Sequence, residues 1–135
     1  MPEPELACSL GSASEHRDKE RRANIRHPIR VRAIYQISTA RPDDFWWYAN
    51  IRDISSCGLS LHVLRRWEPG TFLATEPMIL PADAPSEFPR CRVVHAVKAS
   101  EGGGWLLGCE FTQPLTEGQL ATLVREGEQR ADRID

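Results

Sequence analysis

The chain alternates apolar and polar residues over short runs, and that alternation limits what it can fold into. Ile29, Val31, Ala33, Tyr35 and Ile37 share one parity, with Arg30, Arg32, Ile34 and Gln36 on the other. A period of two marks a strand buried on one face. A second run spans about Trp46 to Arg52, with Trp47, Ala49 and Ile51 on its apolar face. A third, about Leu59 to Leu64, turns Leu59, Leu61 and Val63 inward. Thr71 to Leu80, Arg90 to Lys98 and Trp105 to Phe111 follow. In the Arg90 to Lys98 run, Cys91, Val93, His95 and Val97 alternate against Arg92, Val94 and Ala96, which predicts His95 as a satisfied core histidine. Turn signals separate the runs: Thr39 to Asp44, Ser55 to Gly58, Trp67 to Gly70, the proline-rich Pro81 to Pro89, and Gly102 to Gly104. Six short strands so punctuated predict an all-β domain, a six-stranded antiparallel β-barrel. Thr116 then opens a C-terminal α-helix, with Gln119 at the spacing of a capping box. Leu115, Leu120, Leu123 and Val124 are placed to pack that helix on the barrel.

A chain of 135 residues fits one such domain. Residues 1–20 are polar and aperiodic and read as a flexible arm, residues 21–125 as the domain, and residues 126–135 as a charged tail that frays. A net charge of −2 argues against a nucleic-acid or membrane binder acting by bulk electrostatics. No apolar run approaches the ~18 residues of a membrane-spanning helix. The N-terminus lacks the charged and apolar regions of a signal peptide, so a cytoplasmic protein is expected. Cys8, Cys57, Cys91 and Cys109 form no CxxC pair, which leaves no zinc signature or compact disulfide framework. Buried free thiols are the expectation. The histidines, His16, His27, His62 and His95, show no metal-ligand spacing and no base–nucleophile pattern. No catalytic residue, metal or cofactor is therefore expected. Trp46, Trp47 and Tyr48 read as core and rim, with Trp46 as a possible exposed partner contact.

Two motifs carry chemistry. Arg22-Ala-Asn-Ile-Arg26 sets two guanidinium groups at i, i+4 just before the first strand. Asp53-Ile-Ser55-Ser-Cys-Gly58 sets a carboxylate, a hydroxyl and a side-chain-free position where the second strand turns into the third. Arginine's planar fork pairs with guanine O6 and N7 or with phosphate, and stacks on rings. Asp accepts from the N–H edge of a base, and Gly admits a bulky ligand to the backbone. Together they read as a site for a guanine nucleotide. Each motif also has a plain structural reading. The arginines can be a solvated basic arm, since Arg17/Arg21 and Arg26/Arg30 share the spacing. The second motif can be an Asx or Ser turn with Gly at positive φ.

The order of the two motifs resembles the PilZ family of cyclic di-GMP receptors. Arg26-His-Pro-Ile at the start of the first strand, Ile54 and Leu59 flanking the second motif, Pro69-Gly70, and Gly108-Cys-Glu-Phe111 agree with it. The resemblance covers about residues 20 to 125. It implies a PilZ-like barrel in which Arg22 and Arg26 clamp guanine and phosphate from a mobile arm. Asp53, Ser55 and Gly58 then meet the other side of cyclic di-GMP, with Arg21 and Arg92 as additional candidates. The Ala23-Asn-Ile linker and the long first hairpin around Ala40 to Trp46 depart from the family pattern. The implied protein is a non-enzymatic second-messenger receptor that couples binding to a change in its arm and to contact with an unidentified protein partner. It has no DNA or RNA ligand and no membrane span. Two other readings remain. One is a PilZ-like adaptor that does not bind nucleotide. The other is a small barrel for single-stranded nucleic acid, which the acidic balance opposes.

Overall fold

The computed structural model describes residues 25–78, 88–100 and 102–133, with side chains as far as residue 127. The arm at 1–20, together with Arg21 and Arg22, lies outside the described residues. Six strands follow in chain order: β1 (His27–Ile37), β2 (Trp47–Ile54), β3 (Gly58–Val63), β4 (Phe72–Pro77), β5 (Cys91–Lys98) and β6 (Trp105–Phe111). All neighbours are antiparallel, and the strands close into a ring in the order β1-β2-β3-β6-β5-β4. Helix α1 (Glu117–Arg133) follows.

The expected alternation holds along β3 and along β1 as far as Tyr35; Gln36, expected on the outer face, is buried instead, with its Nε2 donating to Arg41 O at 3.0 Å. Ile29, Val31, Ala33 and Tyr35 are buried, as are Leu59, Leu61 and Val63. Closing the ring brings these faces together with Ile51, Leu73, Val93 and Leu107 in one core. Aromatic residues fill one end. Trp67 Nε1 donates to the Tyr35 hydroxyl at 2.8 Å, and the Trp47 ring packs on both Tyr35 and Trp67. Burial pushes the Tyr35 hydroxyl pKa up, because the phenolate loses its hydration there. The opposite end holds the start of β1 and the end of β2, where His27 faces Ile54.

Two bulges break the period of two. In β2 the register against β3 shifts between Ile51 and Asp53. An extra residue reverses the parity, so Ile54 is buried and Asp53 faces outward, half-buried. In β5 the register shifts between Val93 and His95. His95 therefore lies exposed on the outer face, not in the core as the alternation predicted. Its ring sits over Gly108, where an added Cβ would fall 2.2 Å from His95 Cε1. Ala96 takes the inward place and Val97 is exposed.

The cysteines divide. Cys91 and Cys109 are free and buried, as expected, and the hydrogen bond with the Cys91 thiol, together with burial, raises the Cys109 pKa. Cys57 is disulfide-bonded, which corrects the expectation of a free thiol at that position.

Helix α1 starts as the capping box predicts. The Thr116 hydroxyl accepts from Gln119 N–H at 3.0 Å, and Gln119 Oε1 accepts from Thr116 N–H at 2.9 Å. Leu115 and Leu123 are buried, with Leu120 and Val124 packed against the same core. The helix continues past Arg125 to Arg133, through the stretch whose charge suggested fraying. Gly127 explains the docking of that stretch: it is buried, and an added Cβ would lie 2.6 Å from Ile29 Cβ and 3.1 Å from Val31 Cγ2. Both neighbours are β-branched and held in a strand, so neither can yield cheaply.

Gly118 sits in the first turn of the same helix with nothing near its missing side chain. Replacing Gly by Ala inside a helix ordinarily stabilises by about 0.4–1 kcal/mol. Gly118→Ala is therefore expected to raise the thermal midpoint, and Gly127→Ala to lower it. Differential scanning calorimetry of the two variants checks this. A Gly127→Ala variant as stable as Gly118→Ala would contradict the close docking.

Candidate functional site

The described motif residues, Arg26, Asp53, Ser55 and Gly58, gather at the His27/Ile54 end of the ring. Residues Ser55 to Gly58 make a tight turn, closed by Ser55 N–H to Gly58 O at 2.8 Å. The buried Ser55 hydroxyl accepts from the backbone N–H groups of Cys57 and Gly58, both at 3.2 Å. The turn is also held from outside. Phe111 N–H donates to Cys57 O at 2.7 Å and Leu115 N–H to Ser56 O at 2.9 Å. The loop between β2 and β3 is thereby fixed to the end of β6 and to the approach to α1.

Gly58 is needed for a steric reason. A Cβ there would meet Cys109 O at 2.3 Å, so a side chain would push β6 away. Its φ is not positive, unlike that of Gly70 or Gly102–Gly104, so the turn reading with Gly at positive φ does not hold at this position. The turn reading does hold for Ser55, whose hydroxyl satisfies backbone donors and faces no solvent.

Asp53 and Arg26 are what this frame presents. The β2 bulge turns Asp53 outward beside Pro28 of β1 and Ser60 of β3. Arg26, immediately before β1, places Nη1 2.8 Å from Asp53 Oδ1, with side chains 48% and 31% exposed. Both groups keep water access and unused hydrogen-bonding capacity: four N–H donors on the guanidinium and the second carboxylate oxygen.

A further pair lies one row across. Gly58 faces Glu110 on β6, and Glu110 faces Arg92 on β5. Arg92 Nη2 contacts Glu110 Oε1 at 2.8 Å. The structure thus brings Arg26, Asp53, Ser55 and Gly58 to one corner, with Arg92 two strands from Gly58 and engaged by Glu110. Sequence reasoning passed over Glu110. Its parity in the Trp105 to Phe111 run, opposite to that of the core residues, was the available signal.

The profile of the PilZ domain family matches residues 20–126, which include both motifs. The chain belongs to the PilZ domain family. No curated protein matches it. PilZ domains are binding and adaptor domains rather than catalysts, and the family is generally linked to cyclic di-GMP binding. In this PilZ domain, no helix among the described residues is long and apolar enough to cross a membrane. Nor does any group of three His, Cys, Asp or Glu among them stand ready to hold a metal.

The geometry divides the motif into frame and contact. An exposed ion pair contributes about 0.2–1 kcal/mol, so Asp53→Asn is expected to leave stability nearly unchanged. Ser55→Ala strips two buried N–H groups of their acceptor, at about 1–3 kcal/mol. Urea denaturation of the two variants checks the contrast. Equal destabilisation by both would contradict it.

Proposed function

We propose that this PilZ domain is a cyclic di-GMP receptor without catalytic activity, acting in the cytoplasm, with Arg22, Arg26, Asp53, Ser55 and Gly58 as its binding set. The observation that carries the reading is the outward Arg26–Asp53 pair on a rigid turn. A guanine base offers O6 and N7 acceptors and an N–H edge, and a phosphodiester offers anionic oxygens. A guanidinium beside a carboxylate answers both kinds of edge. When ligand arrives, Arg26 exchanges its bond to Asp53 for bonds to guanine or phosphate, and Asp53 is released to accept from the base. Ser55 and Gly58 act mainly by holding the turn, so that the ligand meets the backbone at a fixed place. Arg22 closes over the opposite side from the arm, with Arg21 nearby.

Arg92 contributes as a further phosphate or stacking partner only after leaving Glu110, which lowers its share. The arm orders on binding and thereby changes a contact with a protein partner. Ordering cost offsets part of the contact energy and gives the receptor its switch.

Micromolar binding corresponds to about −8 kcal/mol, and one bidentate Arg–guanine contact is worth ~1–3 kcal/mol. Calorimetric titration with cyclic di-GMP is expected to give micromolar or tighter binding for the wild type and none measurable for Arg22→Ala/Arg26→Ala. No heat with folded wild-type protein would favour the adaptor reading, in which the same domain works through protein contacts alone.

A further inference from the structure

A second feature of the outer face is independent of the nucleotide reading. Arg32, Asn50 and His62 stand directly opposite one another on β1, β2 and β3. Residues so paired project from one face of a sheet as neighbours. Together with Tyr48 and Leu64 they line a groove of about 260 Å³. Tyr48 is 68% exposed and Leu64 79%, two large apolar side chains converging on one depression. Single exposed apolar residues are unremarkable on a surface, but a cluster rimmed by polar groups marks an interaction site. Of this region's exposed aromatics, Phe45 and Tyr48, Tyr48 is the one that lines the groove, while Trp46 is half-buried with its indole N–H turned to Pro42 O at 2.9 Å.

The charge borne by β1, β2 and β3 on this face is predominantly positive, with Glu76 of β4 standing opposite Ile34 at its edge. Asp53 is the one acidic residue in β1, β2 and β3, and it is taken by Arg26. Arg30, Arg32 and Arg52 are exposed on the same strands, and none forms an ion pair among the described residues. No carboxylate lines the groove. His62 is fixed at its rim, with Nε2 2.7 Å from Gly103 O. A cationic face on a chain of net charge −2 is a local device, not a bulk property.

We propose that this groove docks an acidic segment of a partner protein, with an aromatic or aliphatic side chain seated between Tyr48 and Leu64 and carboxylates paired with Arg32. Charge complementarity selects an acidic occupant, and the apolar rim selects a peptide over a polyphosphate or nucleic acid. A nucleic-acid groove needs a series of stacking rings, whereas this lining offers only the Tyr48 ring and the His62 imidazole, whose Nε2 is held at Gly103 O.

The test is selection of random displayed peptides on the full chain, followed by fluorescence anisotropy with the enriched peptides. The expected peptides carry Asp or Glu around Leu, Tyr or Trp. Their affinity falls at least ~10-fold with Arg32→Glu and with Tyr48→Ala, weakens with salt, and is restored by neither excess basic peptide nor scrambled sequence. Circular dichroism and thermal midpoint stay unchanged, since both side chains are exposed. Cyclic di-GMP titration of the two variants stays at the wild-type value, which keeps this proposal separate from the nucleotide one. Enriched peptides without acidic bias, no enrichment at all, or acidic peptides that bind Arg32→Glu as tightly as wild type would each overturn it. Loss of nucleotide binding in Arg32→Glu with peptide binding intact would assign the groove to nucleotide and overturn it as well.

Discussion

The structure hangs on the Ser55 hydroxyl and the turn it organises. One oxygen gathers two backbone donors, and the carbonyls that the turn leaves over take the N–H groups of Phe111 and Leu115. Four segments therefore share one junction: the end of β2, the start of β3, the end of β6 and the approach to α1. Gly58 makes the junction possible, because β6 passes where its side chain would be. The bulge just before the turn points Asp53 out of the ring instead of into it. A site built in this way has its hydrogen-bonding frame satisfied before any ligand arrives, which lowers the cost of binding.

Much of this was legible in the sequence, for identifiable reasons. The period of two in β3, and in β1 as far as Tyr35, reports one buried face, and the ring preserves it. The Thr116/Gln119 pair reports a helix start by a local mechanism, and the two side-chain bonds form as that mechanism requires. The motif residues Arg26, Asp53, Ser55 and Gly58 come together because the turn joining β2 to β3 and the start of β1 lie at one end of adjacent strands. What was not legible depends on distant parts of the chain. The bulges at Asp53 and His95 arise where strands of unequal path must stay paired, and no alternation pattern announces them. The docking of α1 beyond Arg125 depends on Gly127 meeting Ile29 and Val31, a contact between residues far apart in sequence. For Gly58 the turn reading at positive φ fails, because the constraint that excludes a side chain lies in a strand distant in sequence.

Two surfaces emerge at different positions on one rigid ring. The corner of Arg26 and Asp53 is polar and carries both charges. The groove of Arg32, Tyr48, His62 and Leu64 is cationic and partly apolar. Both draw on β1, β2 and β3, whose pairing is continuous apart from the bulges. A domain of this kind can hold a small ligand at a strand end and a partner on a strand face without the two competing for the same atoms.

The central claim is that the Arg26–Asp53 corner, on its fixed turn, receives cyclic di-GMP. The most direct measurement is amide NMR of the isotopically labelled full chain during titration with cyclic di-GMP. The account predicts saturable shifts confined to residues 20–28, 53–58 and their neighbours on β6, with the Arg32–Asn50–His62 row unmoved. Absence of shifts, or shifts centred on the groove with the corner unaffected, would contradict it.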